Sequence, residues 1–166
     1  ALYYDLLPEN LRNKALDVLQ DEITVKHNGH LATGIFSTKM MLNSLSDQNL
    51  DWLNYLMINQ KDYPSYGYMI DNGATTLWEN WGIIPNHSQN HPMLGSVSEW
   101  FYRSVLGIQQ EENSLAFKNI IIKPAVVDGL ESAEGYYHSM RGKIGSKWWK
   151  LGDDVFMDVE IPANTT

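Results

Sequence analysis

The chain has 166 residues and a mass of 19.0 kDa; at 43% apolar and 11% aromatic it carries too many core-forming side chains for general disorder. Twenty acidic against twelve basic residues give a net charge of −8, a poor match to a phosphate backbone, and no apolar run approaches the ~18–20 residues of a membrane span. Neither nucleic acid nor a membrane is therefore expected as a partner, and the lack of cysteine excludes disulfides, thiolate metal sites and thiol catalysis while leaving the compartment unassigned.

Pro8 suits a helix start, and Leu11, Ala15, Val18, Leu19, Ile23 and Val25 recur at helical spacing. An amphipathic helix is expected from about Glu9 to Lys26, stopped by Asn28-Gly29. A second helical run opens at Gly34, with Ile35, Lys39, Leu42 and Leu45 on one stripe. A third spans about Gln48 to Asn59 on Leu50, Leu53, Leu56 and Met57, and the short break between them predicts antiparallel neighbours. Residues 60–92 mix turn chemistry with aromatics, the composition of a pocket-lining loop. Pro92 opens a fourth helix with His91 at its N-cap, an apolar face of Met93, Val97, Trp100, Phe101, Val105 and Leu106, and a stop at Gly107.

Near residue 110 the period changes. Phe117–Ile122, Ser132–Arg141, Lys143–Lys150 and Val155–Ile161 read as strands, with turns at Arg141-Gly142 and Gly152-Asp153, so antiparallel pairing is expected. Three or four strands make an incomplete sheet. A start at Ala1 with no leader pattern, and an end at Ile161-Pro162-Ala163-Asn164-Thr165-Thr166 after a strand, suit either a segment of a longer protein or a processed one.

Glu79 is the leading chemical candidate. Between Trp78 and Trp81 a carboxylate is expected to lose water and exchange a proton near neutral pH, although a plain surface Glu beside core residues has the same sequence. His91 either reaches a ligand from its helix start or merely caps it. Tyr63, Tyr66, Tyr68, Trp78 and Trp81 could stack on a sugar or fill a core. His30 reads as a structural histidine; Asp62, Asp71 and Glu99 are conceivable acids, Glu99 more simply a structural partner. His87 and His91 are separated from a common helical face by Pro92, which argues against a metal pair, and no phosphate loop or nucleophile elbow is present. No cofactor is expected.

One ordered set of motifs goes further. Gly29-His30-Leu31-Ala32-Thr33-Gly34-Ile35, Asp62-Tyr63-Pro64-Ser65-Tyr66-Gly67-Tyr68, Gly73-Ala74-Thr75-Thr76-Leu77-Trp78-Glu79-Asn80-Trp81 and Asn90-His91-Pro92-Met93 follow one another, with Ile120-Ile121-Ile122-Lys123-Pro124 and Ser146-Lys147-Trp148-Trp149 in the tail. The set resembles the bacterial α-L-rhamnosidases, inverting enzymes of glycoside hydrolase family seventy-eight, over essentially the whole chain. The resemblance implies the end of an (α/α)6 toroid over residues 1–110 and the first strands of an antiparallel β-sandwich over 111–166. It also implies Glu79 as general base, His91 as a rhamnose contact, Trp78, Trp81 and Tyr66 as substrate-binding aromatics, and α-L-rhamnosyl glycosides as substrates. The family's general acid, a Glu in an Asp-rich upstream motif, has no counterpart here, so an isolated chain of this length is expected to be inactive and to self-associate. Two departures stand out: Tyr66 replaces a frequent Trp, and only residues 80–90 separate Glu79 from His91 where many members have a longer loop. A toroid glycosidase acting on another sugar and a non-catalytic carbohydrate-binding module are the alternatives.

Overall fold

The computed structural model describes residues 1–166, which divide into two compact units, Ala1–Val97 and Ser98–Thr166. Helices dominate the first and antiparallel strands the second, as the change of period implies.

In the helical unit, α1 (Glu9–Asp21) runs into a wider π turn (Glu22–Lys26) and ends before Asn28 and Gly29, both at positive φ. Its apolar stripe is not covered by the chain. Leu11, Val18 and Val25 are exposed, and of this run only Ile23 in the π turn is a core residue. Helices α2 (Ser37–Asp47) and α3 (Asp51–Ile58) pack on each other and bury Leu42, Leu45, Leu53 and Met57. Lys39, expected on the α2 stripe, is exposed, and Thr38 is buried instead. Between the two helices, Asn54 Nδ2 donates to Leu42 O at 2.9 Å, a side-chain hydrogen bond that ties the buried seam.

Residues 60–92 contain one helix that the sequence does not announce, α4 (Tyr66–Asp71). Ser65 caps it by accepting the Tyr68 N–H at 2.9 Å. Gly67 lowers helix propensity, but a Cβ there would lie 2.5 Å from Gln60 O, so close backbone approach selects glycine. The run after His91 is also less regular than one amphipathic helix: a 3-10 turn (Pro92–Gly95), α5 (Ser96–Trp100) and a π turn (Phe101–Val105). The changed turn angles alter the phase of the face. Met93 and Phe101, expected inside, are exposed, whereas Leu94 is fully buried.

In the second unit, β1 (Ile108–Gln110) pairs with β2 (Ile120–Ile122), and β3 (Ser132–Ser139), β4 (Gly142–Leu151) and β5 (Asp154–Glu160) form an antiparallel meander in that order. The turn at Gly152-Asp153 is where it was expected, whereas the one expected at Arg141-Gly142 lies one residue earlier, at Met140-Arg141, because Gly142 already pairs with Ser139. The strand expected from Phe117 starts only at Ile120, because Ala116 and Phe117 have positive φ and cannot be extended. Leu106, Ile108 and Ile144 make the core, with Phe117, Ile120, Ile122 and Ala133 packed against it. Trp148 is fully buried, its Nε1 donating to Val105 O at 2.8 Å. Gly107, at φ +71, lets the chain pass Lys123 where a Cβ would stand 2.2 Å from its carbonyl carbon. Every residue of edge strand β5 is exposed.

Candidate active site

The aromatic segment of the helical unit is held by bonds between two irregular stretches. His91 N–H donates to Leu77 O at 2.8 Å, Glu79 N–H to Ser88 O at 2.9 Å, and Thr76 Oγ1 to Gln89 O. Stretches 76–79 and 88–91 are thus fastened together, and the residues between them form a projecting loop. Behind this pair the rings turn inward. Trp78 and Trp81 are 4% and 9% exposed, and Trp81 Nε1 donates to Thr33 O at 2.6 Å. Tyr66 meets Trp81 edge-to-face with centroids 5.0 Å apart, and its hydroxyl donates to Leu94 O at 2.7 Å. Burial pushes that hydroxyl's pKa well above its ordinary value, so Tyr66 acts here as a protonated donor.

Glu79 faces the other way. Its side chain retains 30% exposure, and its carboxylate is not wedged between rings as the flanking tryptophans suggest. The groups around it are polar: Ser88 N–H donates to Oε2 at 3.0 Å, and His87 Nδ1 lies 3.6 Å from the same oxygen. Oε1 accepts no hydrogen bond within the chain. Glu79, Asn80 and Trp81 form one wall of an open cleft of about 260 Å³, with Gly34, Ile35, Phe36 and Ser37 on the other. That is near the lower end of ligand-site volumes, roughly 300–1,000 Å³, and suits one small unit.

Of the other expected site residues, Trp81 lines the cleft while Trp78 and Tyr66 pack behind it. His91 is half-buried and caps the 3-10 turn, Nδ1 accepting the Met93 N–H at 3.4 Å. His30 is structural, as its context suggests. Nε2 lies 2.9 Å from Asp62 Oδ1, and Nδ1 lies 3.0 Å from both His27 O and Asn28 O. Both ring nitrogens face acceptors, so the imidazolium satisfies every partner. The side-chain bond to Asp62 raises the His30 pKa, and the same bond lowers that of Asp62. Asp71 is exposed at the end of α4, and Glu99 lies in α5. No three His, Asp or Glu side chains converge as a metal-binding group. The polar neighbours of Glu79, His87 and Ser88, are those that sequence reasoning missed; their place in a polar loop shortly after the Trp-Glu block was the available signal.

The chain thus places a helical unit with a carboxylate at a small cleft before a unit of antiparallel strands. Comparison with known proteins gives the family. Residues 1–105 match the bacterial alpha-L-rhamnosidase 6 hairpin glycosidase domain, and residues 107–166 match the bacterial alpha-L-rhamnosidase C-terminal domain. The chain belongs to the bacterial alpha-L-rhamnosidase family. It is 32% identical along its whole length to an alpha-L-rhamnosidase of Streptomyces avermitilis, of which it covers 17%, and 34% identical over 99% of its length to one of Alteromonas sp., of which it covers 18%. The structure of alpha-L-rhamnosidase from Dictyoglumus thermophilum matches 99% of this chain with a TM-score of 0.93 and 36% identity, over 19% of that protein. The Streptomyces avermitilis alpha-L-rhamnosidase complexed with L-rhamnose matches 99% with a TM-score of 0.90 and 32% identity, over 16% of that protein. The chain thus spans less than a fifth of the length of these relatives.

Proposed function

We propose that residues 1–166 are the part of a longer inverting α-L-rhamnosidase that carries its general base, Glu79. The observation behind this reading is the state of the Glu79 carboxylate: it borders a cleft, one oxygen is fixed by a backbone N–H, and the other has no partner in the chain. A fixed Oε2 leaves Oε1 to accept a proton from water. That water attacks the anomeric carbon of a terminal α-L-rhamnosyl group from the face opposite the leaving oxygen, through an oxocarbenium-like transition state. The leaving oxygen takes its proton from an acid outside these residues, about 6.5–9.5 Å from the base. His91 and Trp81 contact the sugar, while Trp78 and Tyr66 support them from behind. Because both parts of the chain match the domains of one enzyme family, a non-catalytic binding module is the weaker reading.

The test is Glu79→Gln in the full-length enzyme. The amide keeps the side chain's shape but takes no proton, so turnover of an aryl α-L-rhamnoside falls roughly 10²–10⁴-fold. A variant retaining more than about a tenth of the parent rate overturns the assignment.

A further inference from the structure

We propose that Asn80 and His87 are a positioning pair for Glu79, acting through Ser88; the proposal rests on the reading of Glu79 as the base. Asn80 Nδ2 donates to His87 Nδ1 at 2.8 Å. An amide nitrogen can only donate, so Nδ1 is the acceptor in this bond and is not itself a donor to Glu79. Its 3.6 Å approach to Glu79 is therefore a contact and not a hydrogen bond.

The placement of this bond gives it a role. Asn80 follows Glu79, and His87 precedes Ser88, so their side chains make the next rung beyond the Glu79–Ser88 closure. Beyond them the chain turns through Asn86 at φ +66, with His87 N–H donating to Ile84 O at 3.2 Å. Residues 83–90 are all exposed, so no buried side chain anchors the loop and its few hydrogen bonds hold it. Ser88 N–H is the only donor within the chain to the Glu79 carboxylate. If the Asn80–His87 rung opens, Ser88 keeps its backbone bond from Glu79 N–H but is no longer held from the loop side, so its N–H anchors Oε2 less firmly and Oε1 spends less time facing the water it must deprotonate. The loop between Glu79 and His91 is short, and this rung bridges most of it.

The experiment uses the full-length enzyme and an aryl α-L-rhamnoside, with Asn80→Ala, His87→Ala and His87→Asn. The first two are expected to lower kcat about tenfold each, because base and water lose alignment, while KM stays within about twofold. Asn Oδ1 lies near the position of His Nδ1 and can accept the same Asn80 N–H, so His87→Asn returns kcat to within about threefold of the parent. Parent-like kcat in both alanine variants overturns the proposal, as does a His87→Asn variant as slow as His87→Ala. Should His87→Ala not fold, Asn80→Ala carries the same test with the imidazole in place. Glu79→Gln runs alongside. If it stays active, the base assignment has failed; if it is inactive while Asn80→Ala and His87→Ala are unaffected, only the positioning pair has failed.

Discussion

The helical unit and the β unit each tie remote stretches of chain with one buried indole, in different settings. Trp148 stands in the middle strand of a meander, where cross-strand pairing already fixes the backbone and its bond to Val105 O adds to a ladder that holds itself. Trp81 stands where no helix or strand exists, and there the side chains are the framework: Trp81 on Thr33 O, Tyr66 against Trp81, the Tyr66 hydroxyl on Leu94 O. A ladder specifies register and little else at its surface. A wall pinned by side chains can aim a carboxylate into a cleft, but it depends on a handful of bonds.

The largest effects should come from the two indoles. Trp81→Ala and Trp148→Ala are each expected to destabilise their unit by about 3–5 kcal/mol, measured by chemical denaturation of the 166-residue chain. The milder Phe substitutions separate the two settings. Trp81→Phe should lower turnover of the full-length enzyme at least about tenfold, because Thr33 loses its donor beside the cleft, while Trp148→Phe leaves turnover nearly intact. Equal damage to turnover from both would break the comparison.

Each unit also has uncovered elements, among them α1 with its exposed stripe and β5, an edge strand exposed along its whole length. Bare apolar patches and unpaired edges find partners, so the isolated 166-residue chain should self-associate. Light scattering showing a 19.0 kDa monomer contradicts this. Val18→Lys with Val25→Lys, set against Val155→Lys with Val159→Lys, tells which element drives the association by which pair restores the monomer.

The smallest expected effect is the pH response of the His30–Asp62 clamp. His30 is raised above 6.5 by its bond to Asp62, so its contribution is complete below that pH and is lost as pH rises through the raised value. Asp62 is lowered below 3.8 by the same bond, so its contribution is lost only as pH falls through that lower value. The clamp is strongest between 3.8 and 6.5. The stability advantage of the parent over His30→Gln in chemical denaturation should shrink from about pH 6 to about pH 9; an advantage that grows over this range contradicts the assignment.

What the sequence made legible follows the same division. The run to Lys26 keeps a helical spacing although its stripe is exposed here, and the α2–α3 pair and strand β4 are readable because burial imposes a period of 3.6 or 2 on their residues. Helix α4 is not, because Gly67 is chosen by the approach of Gln60 and Lys61 rather than by propensity. Leu94 and Met93 exchange roles because a 3-10 turn changes the phase of a face that a regular helix would keep. Glu79 stands out through the Trp-Glu-x-Trp block. That its polar neighbours are His87 and Ser88 and not the flanking rings depends on how an irregular loop closes, which no periodicity encodes.

The most direct test of the general-base role uses Glu79→Ala in the full-length enzyme with added sodium azide. Azide needs no deprotonation, so it can replace both the water and the base while the enzyme's acid still protonates the leaving oxygen. The account predicts that azide restores cleavage of an aryl α-L-rhamnoside and that the product, read by NMR, is β-L-rhamnosyl azide. Formation of the α-linked azide, or no rescue in a variant that still folds and binds L-rhamnose, would contradict it.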